Sequence, residues 1–330
     1  MAYLELTDFI SNSLKMNQVM NKNKLFILIS FIAALLFSCN SKLEETTTSG
    51  NITIASDESF SPIIDTQLQT FKSQYKDVII KPVYKPEEDA IAFFMKDSAR
   101  LVFSTRELYP AEVKQLENIK IFPKTNHVAT DGIALLVNNK NADSLLTEKQ
   151  LKEILNGKIT NWNQISGSNK SGEIVMVFDN NASSNLRFMN EHFGIKSKTK
   201  AKVYAAGGNP KVIDYVKTTP NALGVIGVNW VSDKDDPQML SFLKGISVVG
   251  VSKSEKPASL DDYYQPFQAY MATGDYPLTR KLFVISREPR TGLGTGFSAF
   301  ICSDKGQRII LKSGLYPANA PIRIIKVKKQ

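Results

Sequence analysis

Three stretches place hydroxyls and charges at the point where an apolar run ends: "ASDES" at 55–59, "FSTR" at 103–106 and "VFDNNASSNLRF" at 177–188. A strand that empties through a Ser/Asn-rich turn into a helix leaves the first helical N–H groups without partners and aimed at whatever lies in front of them. Such an N-terminus favours negative charge, so the chemistry these residues suggest is the holding of a small anion rather than the making of bonds. The same serines also make ordinary helix caps, and the residues alone leave both readings open.

Other motifs offer less. "TGLGTGF" (291–297) is glycine-rich, but a dinucleotide loop needs a strand before it and an acidic residue at set spacing after it. "SQYK" (73–76) has the form of an acyl-serine motif without its companion elements. His127 and His192 lack neighbours at metal-ligand spacing, and neither pairs with a nucleophile. Cys302, in "FSAFICSDKGQRI", sits among apolar residues at helical spacing and reads as a packing cysteine. No catalytic residue, metal or cofactor is expected.

The elements that position these turns alternate. "ITIA" reads as a strand, and Ile63, Ile64, Leu68 and Phe71 recur at helical spacing behind Ser61 and Pro62, a cap and first-turn pair. "DVIIKPVYK" reads as a strand, "PEEDAIAFFMKDSA" as a helix, "RLVFSTREL" and "HVATDGIALLVNN" as strands, and "LTEKQLKEILNGKITNW" as a helix stopping at Gly157. One late helix spans "GTGFSAFICSDKGQRIILKSG". Strands alternating with helices indicate a parallel α/β sheet, whose ligands collect at the carboxyl ends of the strands.

The amino terminus reads differently. Lys22 and Lys24 precede an apolar run from Leu25 to Phe37 that ends in "LFSC". That run is too short to span a bilayer comfortably and suits a secretory signal. "LFSC" resembles a bacterial lipobox, with Cys39 as the residue cleaved and lipidated. Residues 1–38 are thus expected to be an extension plus signal peptide, and 39–49 a polar tether. The formal net charge of +9 would suit an anionic ligand or envelope. The lysines are scattered, without the interleaved basic and aromatic stripe nucleic acid needs.

Four long stretches, "TDGIALLVNNKNADSLLTEKQLKEILNGKITNW", "NALGVIGV", "YPLTRKLFVI" and "FICSDKGQRIILKSGLYP", resemble the phosphate-binding proteins of ABC importers, the PstS-like periplasmic solute-binding family. The resemblance runs from about residue 50 to 325. It implies a type II periplasmic-binding-protein fold: two α/β lobes joined by a hinge of crossing strands and closing on a ligand. Residues 50–132 with 276–330 would form lobe 1 and 133–275 lobe 2.

By the same resemblance, the anion would meet Ser59, Ser104, Thr105, Arg106, Asp131, Ser183 and Ser184, with Arg106 the strongest cation and Asp131 an acceptor. The site departs from the family pattern. Phe178 stands in place of an arginine, which removes a bidentate-capable donor. "KPEEDA" replaces a Gly-Ser-Gly loop, bringing Glu87, Glu88 and Asp89, and Asp57 and Glu58 add carboxylates to the first turn. Phosphate affinity is expected to be weak unless Arg100 or Arg187 enters from a new direction. The implied function is a lipoprotein of the cell envelope, membrane-anchored on the periplasmic side, without enzymatic activity, capturing phosphate or a related oxyanion for an ABC permease. The alternative is an envelope partner-binding or sensory module that reuses the fold without a transporter.

Overall fold

The computed structural model describes residues 45–141, 143–165, 172–196, 199–232 and 243–319, and Glu45–Gln330 makes one compact unit. The apolar run expected to be a signal peptide, Cys39 and the basic tail lie outside the described residues. The β-branched run at the start of the unit forms β1 (Gly50–Asp57), which lies parallel between β2 (Val78–Lys85) and β3 (Leu101–Ser104). Helices α1 (Ser61–Gln74) and α2 (Glu87–Met95) connect them, and α3 (Pro110–Asn118) follows β3.

The long strand β4 (Lys124–Asn138) then serves two sets of partners. From Lys124 to Gly132 it pairs antiparallel with β11 (Thr279–Ser286), and from Ile133 to Val137 with β8 (Ala222–Gly227). Between these come β5 (Leu145–Thr147), α4 (Glu148–Leu155), β6 (Val175–Phe178), α5 (Ser184–His192), β7 (Val203–Ala205) and α6 (Asn209–Thr218). The strand order is β2-β1-β3-β11-β4-β8-β6-β7, with parallel strands at both ends and antiparallel pairs at the centre. Strands β9 (Ile246–Val248) and β12 (Tyr316–Pro317) also pair with β4, and β10 (Gly250–Ser252) pairs with β5. Helix α7 (Gln268–Thr273) precedes β11.

Packing fixes each turn to its sheet. Ala90, Ile91 and Phe94 of α2 bury against Ala55, Val102 and Ile285, while Val212, Ile213 and Val216 of α6 cover Leu136, Val177 and Ile226. Each buried Ile, Val, Leu or Phe among them contributes about 1.5–3 kcal/mol. Arg287 is buried and donates to the carbonyls of Phe94 and Met95 at the end of α2, where a cation also complements the helix dipole. That anchor sets where the opposite end of α2, and hence Glu87, must lie.

Two sequence expectations shift. Ser61 is the first residue of α1 rather than its cap, because Asp57 caps a short 3₁₀ turn, Glu58–Phe60, by accepting from the Ser59 amide. The single late helix is two, α8 (Leu293–Cys302) and α9 (Asp304–Lys312), broken at Ser303. Ser303 adopts an extended conformation and its hydroxyl accepts from the Gly306 amide, which restarts the helix in a new direction. Cys302 lies half-buried against the core, and burial pushes its thiol up. The glycines of "TGLGTGF" serve the start of α8: the Glu288 carboxylate accepts from the amides of Gly294 and Thr295 at 2.8 and 2.7 Å, and a Cβ at Gly294 would meet Glu288 at 2.7 Å.

Candidate functional site

The turn after β3 and the start of α2 meet at a carboxylate. Glu87, the first residue of α2, is buried, and its Oε1 accepts from Ser104 Oγ at 3.0 Å and from both Thr105 N and Thr105 Oγ1 at 2.6 Å. Its Oε2 accepts from Arg187 Nε at 2.7 Å, and Arg187 Nη2 donates to Thr105 Oγ1 at 2.7 Å. Arg187 belongs to α5, so the cage is assembled from both sides of β4. Burial alone would raise the Glu87 pKa, but Arg187 and the Thr105 donors outweigh it and hold the carboxyl below its usual range.

A second charged cluster adjoins the first. Arg280, opposite Asp131 in the β11–β4 register, donates from Nε to Asp131 Oδ2 at 3.0 Å and from Nη1 to Ser184 Oγ at 3.0 Å. Its guanidinium lies 5.3 Å from the centre of the Phe60 ring. Burial drives the Asp131 carboxyl up, against the pull of Arg280. Asp57 is fully buried nearby, and burial followed by the charge of Glu87 pushes it up to about 7. Ser59 Oγ, Asp57 Oδ2, Asp131 Oδ1 and Arg280 Nη2 are buried without a protein partner. Two donors, Ser59 and Arg280, therefore retain capacity for a ligand.

The turn of "VFDNNASSNLRF" satisfies itself. Ser183 caps α5 by accepting from the amides of Asn185 and Leu186 at 3.1 and 3.3 Å, and its hydroxyl donates to Asp179. Asp179 also accepts from Asn185 Nδ2 at 3.2 Å and Asn180 Nδ2 at 3.1 Å, and burial raises its pKa. Further bonds bring the two sides together: Asn229 Nδ2 and Trp230 Nε1 donate to the Ser59 carbonyl at 2.9 and 2.8 Å, and Asn180 donates to Glu58 at 2.7 Å.

Of the residues expected from sequence, Ser104 and Thr105 thus hold Glu87, Asp131 and Ser184 hold Arg280 in the adjoining cluster, Ser59 follows buried Asp57, and Ser183 serves as a cap. Arg106 stands apart. Its five N–H groups are taken by Glu88, Glu112 and the Glu107 carbonyl, and its guanidinium stacks 3.8 Å from the Tyr109 ring centre. The physical reason is the acidic run of "KPEEDA", which supplies Glu88 as a nearer partner. Arg100 pairs with Asp97 at the surface instead of entering the site. Phe178 is a fully buried core residue at the end of β6.

Arg280 lies within "YPLTRKLFVI" but is not among the site residues that the resemblance implies. The available signal was period two: Arg280 alternates with exposed Lys281 and so shares a face with buried Leu282 and Val284. A charge on a buried face of a crossing strand needs a partner, and Asp131 is the acid at matching register. Among the described residues, no group of three or more His, Cys, Asp or Glu could hold a metal.

Comparison with known proteins agrees with this architecture. A PBP superfamily domain (PBP_like_2) matches residues 42–305. The phosphate-binding protein PstS of Staphylococcus saprophyticus is 25% identical over 251 residues, covering 74% of each chain. That of Borreliella burgdorferi is 22% identical over 300 residues, covering 88% of this chain and 97% of that one. Among solved structures, one with bound phosphate from Clostridium perfringens superposes with a TM-score of 0.67 at 24% identity, covering 82% of this chain and 100% of that chain. An ABC-type phosphate transport receptor from Vibrio cholerae gives 0.59 at 21%, covering 81% and 99%. With its crossing strands, parallel flanks and charged cluster between them, the chain belongs to the PBP superfamily of solute-binding proteins, with the type II fold and PstS phosphate-binding proteins as distant relatives.

Proposed function

We propose that this protein is a lipid-anchored envelope protein that captures a small oxyanion, phosphate or a relative of it, for an ABC importer. The observation that carries the reading is the convergence of Ser104, Thr105 and Arg187 on one oxyanion, the Glu87 carboxylate. Donors so arranged suit any oxyanion of that size, and Arg187 can offer it paired N–H groups. Residues 50–132 with 276–330 would move as one lobe and 133–275 as the other, about the crossings of β4 and β11. The relatives named as phosphate-binding support the solute class.

A specific observation favours a second reading. Four acids, Asp57, Glu87, Asp131 and Asp179, gather around Arg187 and Arg280, so a dianion there is repelled by each of them that is ionised, Glu87 above all. Two like charges about 4 Å apart repel by about 4 kcal/mol at an effective dielectric near 20. An envelope sensory or partner-binding module would need no solute there.

Thermal melting of residues 45–330 with a panel of oxyanions separates the two. A bound oxyanion at about 100 times its Kd adds about 2.7 kcal/mol of stability and raises the melting point. A panel without effect favours the partner-binding module. The anchor has its own test: Cys39→Ala should be exported yet leave the membrane fraction, and a wild type found wholly in the soluble fraction removes the lipoprotein reading.

A further inference from the structure

We propose that Glu87 is a built-in competitor, a tethered carboxylate that occupies the oxyanion cage and draws the cleft shut in place of the solute. The inference deepens the capture reading and rests on it for the identity of the competing solute. Glu87 is about as well held as a solute would be. It is buried, it accepts four hydrogen bonds, and one of them comes from a guanidinium on the opposite side of β4. An acceptor that uses up Ser104 Oγ, Thr105 N and Thr105 Oγ1 leaves those donors nothing to give a second anion.

The position is fixed by the fold and not by a wandering side chain. Glu87 is the first residue of α2, whose far end is bound through the Phe94 and Met95 carbonyls to buried Arg287. The neighbouring acids behave otherwise: Asp89 is exposed, and Glu88 turns outward to Arg106 at 3.0 Å. One acid of the three is therefore committed to the cage. Being covalently attached, it competes at an effective concentration of roughly millimolar or more. If the cage is free about 1% of the time, a solute binds about 100-fold more weakly than the donors alone would allow.

The same contact links the halves. Arg187 bridges to Glu87 and Thr105 across the cleft, beside the Arg280–Ser184 and Asn229–Ser59 bonds. Closure in an ordinary binding protein depends on the solute, whereas here one side supplies the anion that the other side grips. The expected result is a protein that is closed without solute and opens only when Glu87 leaves the cage.

The test uses residues 45–330, which make a compact unit of their own. Wild type, Glu87→Gln, Glu87→Ala and the control Asp89→Asn are titrated with inorganic phosphate by calorimetry, and their compactness is followed by small-angle X-ray scattering. The proposal expects Glu87→Gln and Glu87→Ala to bind phosphate at least about tenfold more tightly than wild type, with Asp89→Asn unchanged. It also expects both Glu87 variants to have a larger radius of gyration without phosphate. Equal affinity in wild type and both Glu87 variants overturns the competitor role while leaving oxyanion capture standing. No phosphate binding by any variant removes phosphate as the captured solute, and the scattering then decides the closure: an unchanged radius of gyration overturns it.

Discussion

Arg187 and Glu87, a hundred positions apart in sequence, share a 2.7 Å ion pair in which the carboxylate is almost fully buried and the guanidinium one-fifth exposed. Breaking such a pair by removing one partner strands the other charge and costs about 3–5 kcal/mol, more than the pair itself contributes. Arg187→Ala should therefore destabilise the protein by roughly that amount in urea unfolding, and adding Glu87→Gln should restore much of the loss. Additive effects of the two substitutions would show that the side chains act independently.

Arg106 tests the opposite expectation. The family resemblance makes it the leading cation of the site, yet Glu88 and Glu112 use its guanidinium. Arg106→Ala should lower stability by about 1–3 kcal/mol through lost charged hydrogen bonds and leave any oxyanion-induced melting shift as it was. A shift abolished by Arg106→Ala would return this residue to the site.

Asp57 predicts a pH dependence with a definite sign. Its folded pKa of about 7 lies above its ordinary value of 3.8, so between the two the folded state holds a proton that the unfolded state lacks. That contribution is complete below about pH 4 and is lost as pH rises through about 7. Asp57→Asn should flatten the decline and be more stable than wild type at about pH 8, by roughly 1–3 kcal/mol. Chemical denaturation across that range measures it, and identical pH profiles would contradict the assignment.

Glu288 offers a control away from the Glu87 cage, since its carboxylate satisfies the first amides of α8. Glu288→Ala should cost about 1–2 kcal/mol, the value of a lost helix cap, without altering any oxyanion response. An altered response would mean that the glycine-rich turn communicates with the site.

The architecture was legible because it rests on period and punctuation. Val78–Lys85 and Lys124–Asn138 show β-branched runs, and Leu151, Ile154 and Leu155 recur at helical spacing before Gly157. The break at Ser303 was hidden because apolar residues continue at compatible spacing on both sides of it. The serines and Thr105 were legible as the polar ends of strands. Their partners were not, because hydrogen-bond choice depends on which distant group arrives first. Nothing local in "KPEEDA" separates Glu87, which turns inward, from Glu88, which meets Arg106, and nothing in "NLRF" says that Arg187 reaches Glu87. Arg280 was concealed by a strand that otherwise reads as a lobe crossing.

A crystal structure of residues 45–330 grown in saturating phosphate shows whether the donors around Glu87 form an oxyanion cage. Phosphate is expected within hydrogen-bonding distance of Ser104, Thr105 and Arg187, with the Glu87 carboxylate displaced from Thr105. Phosphate bound elsewhere on the protein while Glu87 keeps its bonds to Thr105 and Arg187 would rule the cage out.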